Sequence, residues 1–212
     1  MKYRNILFDL DGTLTDSGPG IMKSCKYAFE QLGVPIPSPQ ELRKVVGPPL
    51  NIIFPTLGIP EDKVDEAINL FRDKYNNHGG VFDNSVYPGI EDMLSKLKDL
   101  GYKLYVATSK PEETARLVMS HFNIDKYFDY IAGGSIALNR AKKSDVLKYL
   151  LDTIDCSGGI IMIGDTHYDV IGAHELDIPC IGVAWGYGDI DTMNDEGVDA
   201  VIKKPGDIFE LI

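Results

Sequence analysis

Cysteine is scarce in this sequence, with three among 212 residues, and no two of them have the CxxC spacing of a redox or metal-binding motif. We therefore expect reduced, mostly buried thiols and a cytoplasmic protein. Long apolar runs are also missing. The first apolar run is a strand of about half a dozen residues, which is too short for a membrane span or for the apolar region of a signal peptide.

Positively charged residues are also few. The chain has 21 lysines and arginines against 32 aspartates and glutamates, a net charge of −11, and it has no basic run. This balance disfavours nucleic acids and membrane surfaces as partners, and it requires that an anionic substrate be bound by local positive groups. The four histidines have no HExxH or other paired spacing, which disfavours zinc. The sequence does not indicate an oligomeric state.

Apolar runs typical of buried strands alternate with helical patterns of about ten residues over most of the chain. The first run ends at Phe8, and further runs span 103–108, 128–133, 159–164, 179–183 and 200–202. This alternation predicts an α/β fold with a Rossmann-like core of parallel strands. Residues 16–84 show only helical patterns. We therefore predict a core domain of residues 1–15 and 85–212, with a helical domain of residues 16–84 inserted after the first strand.

The segment Asp9-Leu10-Asp11-Gly12-Thr13 follows the first buried strand directly. Parallel sheets of α/β proteins bind their ligands just beyond the carboxyl ends of the strands, so both aspartates are candidates for a functional site. Asp-Gly is also a common turn pair, and on this segment alone a plain turn is a competing interpretation.

Polar residues also follow two later strands. The run 103–108 leads into Thr108-Ser109-Lys110, and the run 159–164 leads into Asp165, with Asp169 four residues further on. Lys142 and Lys143 precede the helix that leads to this later strand. Each residue has a local interpretation as a helix cap, a turn residue or a solvated helix start. Right-handed crossovers, however, place all the strand ends on one edge, and this convergence favours a site.

A cluster of three acidic groups predicts a bound cation, because the carboxylates otherwise repel one another. Ligation by carboxylates without histidine or cysteine favours Mg²⁺. A magnesium ion with a nearby lysine and hydroxyl suits the binding of a phosphoryl group, and backbone N–H groups around Gly12 can add an anion nest. No serine or cysteine has an evident histidine partner, so a carboxylate is the available nucleophile.

On these motifs the sequence resembles the haloacid dehalogenase superfamily of phosphohydrolases, in the phosphoglycolate phosphatase-like branch with a helical, C1-type cap. The resemblance covers essentially the whole chain and rests on three matches: Asp9-Leu10-Asp11-Gly12-Thr13, Thr108 after a strand, and Gly164-Asp165-Thr166-His167-Tyr168-Asp169. The family has one further motif, which contains a lysine. The resemblance assigns this lysine to Lys143, with Lys142 as the alternative. Segment 139–144 lacks the Lys-Pro-x-Pro of many relatives, and Ser109 stands where many have asparagine.

The resemblance implies a role for each matching residue. Asp9 would attack phosphorus and form an aspartyl-phosphate, while Asp11 would act as general acid and then as general base. Mg²⁺ would be held by Asp9, the backbone carbonyl of Asp11 and Asp165, with Asp169 orienting metal-bound water. The other expected contacts are to the phosphoryl group and the substrate, from Thr108, the lysine, Gly12, Thr13 and Ser109.

The resemblance also implies that the helical insert is a cap, whose closure would exclude water from the site. The turn Gly47-Pro48-Pro49-Leu50, preceded by Arg43, is the candidate for contacts to the substrate. A turn that merely ends a helix remains the alternative interpretation.

The function expected from these observations is Mg²⁺-dependent hydrolysis of a small phosphorylated metabolite, such as phosphoglycolate or a nucleoside monophosphate. Two alternatives use the same scaffold: a β-phosphoglucomutase-like phosphomutase and an inorganic pyrophosphatase. Dehalogenase chemistry is not expected, because Asp11 would be superfluous for it. A receiver-like binding module also uses an aspartate with Mg²⁺, but such modules are shorter and lack a helical insert after the first strand.

Overall fold

The computed structural model describes residues 2–135, 140 and 142–212, so two positions of segment 139–144, Asn139 and Ala141, lie outside the described residues. The chain divides into two compact units. One unit contains the residues up to Thr15 together with Val86–Ile212, and the other is Asp16–Ser85. Among the described residues, no helix combines the length and the apolarity needed to cross a membrane.

The first unit contains a parallel sheet with six strands among the described residues, in the order β3-β2-β1-β4-β5-β6. The strands are β1 (Asn5–Phe8), β2 (Lys103–Pro111), β3 (Tyr130–Gly134), β4 (Ile160–Gly164), β5 (Cys180–Val183) and β6 (Ala200–Ile202). This architecture confirms the expected α/β fold with a Rossmann-like parallel core.

Strand β1 lies in the middle of this sheet. Phe8 pairs with Val106 of β2 on one side and with Ile163 of β4 on the other. All four residues of β1 are buried, which is typical of a strand covered on both faces of a parallel sheet. The Asp9 N–H continues the ladder by donating to the Ile163 carbonyl at 2.9 Å. The residues after β1 and β4 therefore leave the sheet side by side.

Helices connect the strands of this unit: α5 (Ile90–Asp99), α6 (Glu112–His121), α7 (Lys143–Thr153), α8 (His167–His174) and α9 (Ile190–Asp195). One face of the sheet is packed by a fully or nearly fully buried apolar cluster that includes Leu7, Leu147, Met162 and Val170. This cluster joins β1 and β4 to α7 and α8. The two helices that begin next to the strand ends are thereby held in place by apolar packing.

The second unit is helical within the described residues. It contains α1 (Gly18–Leu32), α2 (Pro39–Leu42), α3 (Leu50–Thr56) and α4 (Val64–Arg72), together with short 3₁₀ turns and a π-helical segment, Asp73–Asn77. Its core contains a chain of aromatic contacts from Phe29 through Phe54 and Phe71 to Tyr75, with ring centroids 5.5 to 6.2 Å apart. The unit therefore has an apolar core of its own.

Candidate active site

Three buried carboxylates meet at the carboxyl edge of the sheet. Asp9, Asp165 and Asp169 each offer an oxygen, and these oxygens lie within 4.8 Å of one another. The three residues are only 8%, 1% and 1% exposed. Asp9 follows β1 and Asp165 follows β4, while Asp169 lies in the first turn of α8. Asp165 and Asp169 come 156 and 160 residues after Asp9 in the chain. They meet because the carboxyl ends of parallel strands lie at the same edge of a sheet.

The Lys143 side chain supplies the positive charge of this cluster. Its Nζ lies 2.7 Å from Asp9 Oδ1 and 2.7 Å from Asp169 Oδ1, and it donates to the Ala107 carbonyl at 2.9 Å. Lys142, the alternative lysine, is exposed at the start of α7, where its N–H donates to Asp145 Oδ2 at 3.2 Å. The structure therefore brings Lys143 into the carboxylate cluster and leaves Lys142 at the surface.

Helix capping orients Asp169. Thr166 precedes α8, and its N–H and hydroxyl both donate to Asp169 Oδ2, at 3.0 and 2.8 Å. The bond from the Thr166 N–H to the Asp169 side chain is part of a capping box, a motif that satisfies N–H groups at the start of a helix. Since Oδ2 is held by the cap, Oδ1 is the oxygen that lies beside Lys143.

The loops after β1 and β5 hold Asp165. The Tyr187 N–H donates to Asp165 Oδ2 at 2.8 Å, and the Thr13 hydroxyl donates to Asp165 Oδ1 at 3.4 Å. Gly12 lies against the same carboxylate at a φ of +87°, where a Cβ atom would overlap the Asp165 carboxyl group. Position 12 therefore requires glycine for two reasons: its positive φ, and the close approach of its backbone to the Asp165 carboxylate.

Electrostatics within this cluster are strongly perturbed. Burial, aided by the charges of Asp169 and Asp11, raises the pKa of Asp9 to about 6 despite the opposing effect of Lys143. Burial and the neighbouring charges of Asp169 and Asp9 raise the pKa of Asp165 well above its ordinary value. Burial alone would lower the pKa of Lys143, but the charges of Asp169 and Asp9 outweigh this effect and raise it. The carboxylates therefore repel one another strongly in the absence of a further cation.

The residues fit a divalent metal ion. The three carboxylates and the single Lys143 ammonium leave an excess of two negative charges when all are ionised, that is, three minus one. Only oxygen donors are present among the three acidic groups, which suits a hard cation such as Mg²⁺. The charge and the donor type of the cluster therefore both favour a doubly charged hard ion.

Asp11 lies outside this carboxylate group and pairs with Lys110. The Lys110 Nζ is 3.1 Å from Asp11 Oδ1 and 3.0 Å from Asp11 Oδ2. The sequence indicates no role for Lys110 beyond its position at the end of a strand, two residues after Thr108. Its pairing leaves no local pattern, because Asp11 is 99 residues away in the chain.

The other candidate residues have more varied surroundings. Thr108 is buried, and its hydroxyl accepts a hydrogen bond from the Lys110 N–H at 3.2 Å. Ser109 is partly exposed. Arg43 and Gly47 belong to the helical unit and are exposed there. Contacts among the described residues bring together six of the predicted residues, namely Asp9, Gly12, Thr13, Lys143, Asp165 and Asp169.

Comparison with known proteins agrees with this geometry. Residues 6–183 match the sequence model of the family described as haloacid dehalogenase-like hydrolase. The chain belongs to this family. The resemblance seen in the motifs is thereby confirmed, as is the expectation that the chain is an enzyme.

Several relatives are similar over most of their length. A 5'-nucleotidase of Pseudomonas aeruginosa is 39% identical over 91% of this chain and 88% of its own. Tyrosine-protein kinase PtkA of Mycobacterium tuberculosis is 38% identical over 97% of this chain and 70% of its own. A phosphoglycolate phosphatase of Aquifex aeolicus is 29% identical over 99% and 96%. Among solved structures, a predicted phosphatase from Clostridium acetobutylicum is 40% identical, covers 100% of both chains and has a TM-score of 0.91.

Proposed function

We propose that this protein is a Mg²⁺-dependent phosphatase that hydrolyses a small phosphate monoester through an aspartyl-phosphate on Asp9. The observation that carries the proposal is the position of Asp9 at the end of the central strand, with Lys143 Nζ at 2.7 Å and two further carboxylates nearby. Relatives described as a 5'-nucleotidase and as phosphoglycolate phosphatases support hydrolysis of small phosphate esters.

In the first step, an Asp9 carboxylate oxygen forms a bond to phosphorus and the bond from phosphorus to the leaving oxygen breaks. That oxygen takes the proton of the Asp11 carboxyl group, so the products are an alcohol, an aspartyl-phosphate and the Asp11 carboxylate. Lys143 and Thr108 are proposed to bind the phosphoryl oxygens during transfer. Bound Mg²⁺, held by Asp9 and Asp165 with Asp169 beside them, would supply charge stabilisation for the transferring group.

Hydrolysis of the intermediate regenerates the enzyme. A water oxygen forms a bond to phosphorus while the bond from phosphorus to the Asp9 oxygen breaks, and the electron pair of that bond returns to the Asp9 carboxylate. The water proton goes to the Asp11 carboxylate, and phosphate leaves. Asp9 and Asp11 therefore end in the states in which they began.

The helical unit is proposed to act as the cap that selects the substrate. This part of the proposal rests on the family resemblance, on the separate apolar core of residues 16–85 and on the exposed Arg43, which can bind an anionic group. Replacing Arg43 by methionine should raise the KM for the preferred ester while leaving hydrolysis of 4-nitrophenyl phosphate unchanged. An unchanged KM would remove Arg43 from the proposal.

The proposal is tested by measuring phosphate release from a panel of esters with Mg²⁺ and with EDTA. The panel contains nucleoside 5'-monophosphates, phosphoglycolate, sugar phosphates and pyrophosphate, with Asp9→Asn as the inactive control. We expect release from at least one monoester, only with Mg²⁺, and none by the variant. Isomerisation of a sugar phosphate without phosphate release would identify a mutase instead, and preferential cleavage of pyrophosphate would identify a pyrophosphatase.

A further inference from the structure

The Lys110 side chain is almost fully enclosed, although lysine side chains are ordinarily exposed. Its side chain is 5% exposed, and that of its partner Asp11 is 14% exposed. One ammonium group binds both carboxylate oxygens, at 3.1 and 3.0 Å, and thereby connects the end of β2 to the loop after β1. This contact restricts the rotation of the Asp11 carboxylate about its side-chain bonds.

Stability is a poor explanation for this pair. The desolvation of two buried charges offsets most of their mutual attraction, so a buried ion pair contributes little compared with apolar side chains of the same size. A buried pair does hold its two partners in one geometry. Lys143 pairs with the carboxylates of Asp9 and Asp169, whereas Lys110 pairs with the carboxylate of Asp11.

We propose that Lys110 is a positioning residue that holds the Asp11 carboxylate in place for hydrolysis of the aspartyl-phosphate. This inference rests on the proposed function and concerns its second step. In that step the water oxygen bonds to phosphorus, the bond from phosphorus to Asp9 breaks, and the water proton passes to Asp11. In this proposal Lys110 acts on Asp11, the acceptor of the proton, to which its ammonium group is bound.

The two steps are separated with 4-nitrophenyl phosphate under stopped flow. 4-Nitrophenolate is a good leaving group that needs no proton from Asp11, so the first step does not depend on the position of this carboxyl group. Lys110→Met should therefore keep a burst of one nitrophenolate per enzyme at an unchanged rate. Steady-state turnover should then fall about 10- to 100-fold, which is less than the loss of about 100- to 10,000-fold expected on removing a general acid–base catalyst, because Asp11 itself is retained. The phosphorylated protein should accumulate and be detectable by mass spectrometry.

Matched variants test whether Lys110 acts through Asp11. Lys110→Arg retains a cation for the carboxylate and should keep turnover within about 10-fold of the wild type, whereas Lys103→Met, at the opposite end of β2, should leave both phases unchanged. In an Asp11→Asn background, Lys110→Met should cause no further loss, because the two residues act as one unit. If Lys110→Met does not fold, Lys110→Gln is measured in its place with the same expectation.

Three results would overturn the inference: unchanged turnover in Lys110→Met, an equal decrease of burst and turnover, or a further loss in the Asp11→Asn background. An inactive wild-type protein would instead refute the proposed function. The two failures are therefore distinguishable, since the first requires an active wild-type enzyme.

Discussion

The indole N–H of Trp185 donates a hydrogen bond to the main-chain carbonyl of Thr13, with a distance of 3.0 Å between the two heavy atoms. The hydroxyl of Thr13 in turn donates to Asp165, and the N–H of Tyr187 donates to the same carboxylate. The loop after β5 thus contacts both the segment after β1, at Thr13, and the residue that follows β4, Asp165. A tryptophan that only packed against the surface would not make this connection.

Trp185 is the only tryptophan of the chain, so its fluorescence is a direct reporter of this site. We expect Mg²⁺ to change the emission in a saturable manner, because metal ligation by Asp165 alters the Thr13–Asp165 contact. Asp165→Asn should abolish the response. A Mg²⁺ titration that leaves the wild-type emission unchanged, while calorimetry shows binding, would mean that Trp185 is not coupled to the metal site.

Trp185→Phe removes the indole N–H and keeps an aromatic ring. Loss of one hydrogen bond to a main-chain carbonyl should lower the free energy of unfolding by about 1 kcal/mol. Urea unfolding followed by circular dichroism measures this change without needing the fluorescence of the replaced residue. A difference near zero would mean that water replaces the indole at the Thr13 carbonyl.

Gly186, in the loop after β5, packs closely against Asp165. A Cβ atom on Gly186 would overlap the Cβ and carboxylate of Asp165, so Gly186→Ala must displace either the loop after β5 or the segment after β4 that contains Asp165. We expect Mg²⁺ affinity to fall about 10- to 100-fold, as for other substitutions that disturb the groups supporting a metal ligand. Isothermal titration calorimetry measures the affinity.

Gly206→Ala is the matched control for this substitution, because a Cβ atom there meets no atom within 4 Å. Its Mg²⁺ affinity should equal that of the wild type. Equal affinities in both alanine variants would show that the Asp165 loop can move without consequence.

The two neighbouring lysines should respond very differently to substitution. Lys143→Met removes the only ammonium near Asp9 and Asp169 among the described residues, and breaking such a buried pair costs about 3–5 kcal/mol. Lys142→Met alters an exposed side chain and should change stability by less than about 0.5 kcal/mol. Denaturant unfolding of both variants in EDTA measures the two changes in the free energy of unfolding. A larger change in Lys142→Met would mean that Lys142, and not Lys143, pairs with the buried carboxylates.

Asp129 links α5 to the start of β2. Burial opposes its ionisation, but hydrogen bonds from Lys98 Nζ (2.8 Å), the Leu104 N–H (3.0 Å) and Lys103 Nζ (3.2 Å) outweigh this effect and lower its pKa. The lowered pKa in the folded state means that the stabilisation is fully present above the pKa of the unfolded chain. It is lost as the pH falls through the lower, folded-state pKa.

Asp129→Asn should therefore lower the free energy of unfolding at pH 7 by about 1.5–3 kcal/mol, the range for hydrogen bonds to a charged group. The difference from the wild type should begin to shrink when the pH falls below about 4, where the Asp129 carboxylate of the unfolded chain takes up a proton. It should disappear below the lower pKa of the folded state, where the carboxylate is protonated in both states. Urea denaturation curves for both proteins at a series of pH values measure this difference in the free energy of unfolding. A gap that is constant with pH would mean that the charge of Asp129 does not stabilise the fold.

Sequence patterns predict most of the sheet-containing unit because its elements follow from local rules. The helix expected over residues 143–154 is found at Lys143–Thr153, and the strand expected over 159–164 is found at Ile160–Gly164. Asp9 and Asp165 could be placed at one edge because every strand in a parallel sheet points the same way.

Contacts between distant loops could not be predicted in the same way. The pairing of Lys110 with Asp11 and that of Trp185 with Thr13 depend on how two loops approach each other, and neither leaves a periodic signal in the chain. Helix α9 (Ile190–Asp195) has only six residues and lies after a glycine-rich loop, so its apolar pattern is too short to detect. Its start depends on the side chain of Asp189, which accepts from the Thr192 N–H at 2.9 Å.

The bridge between Thr15 and Val86 gives the chain a modular construction. The chain leaves the sheet-containing unit at Thr15 and returns at Val86, and these two residues are direct partners in an antiparallel pair. Within the helical unit, the terminal residues Asp16 and Ser85 are likewise joined, with the Asp16 N–H donating to the Ser85 carbonyl at 2.7 Å. Because its two ends are adjacent, the segment between Thr15 and Val86 could change in length without altering the register of any strand of the sheet.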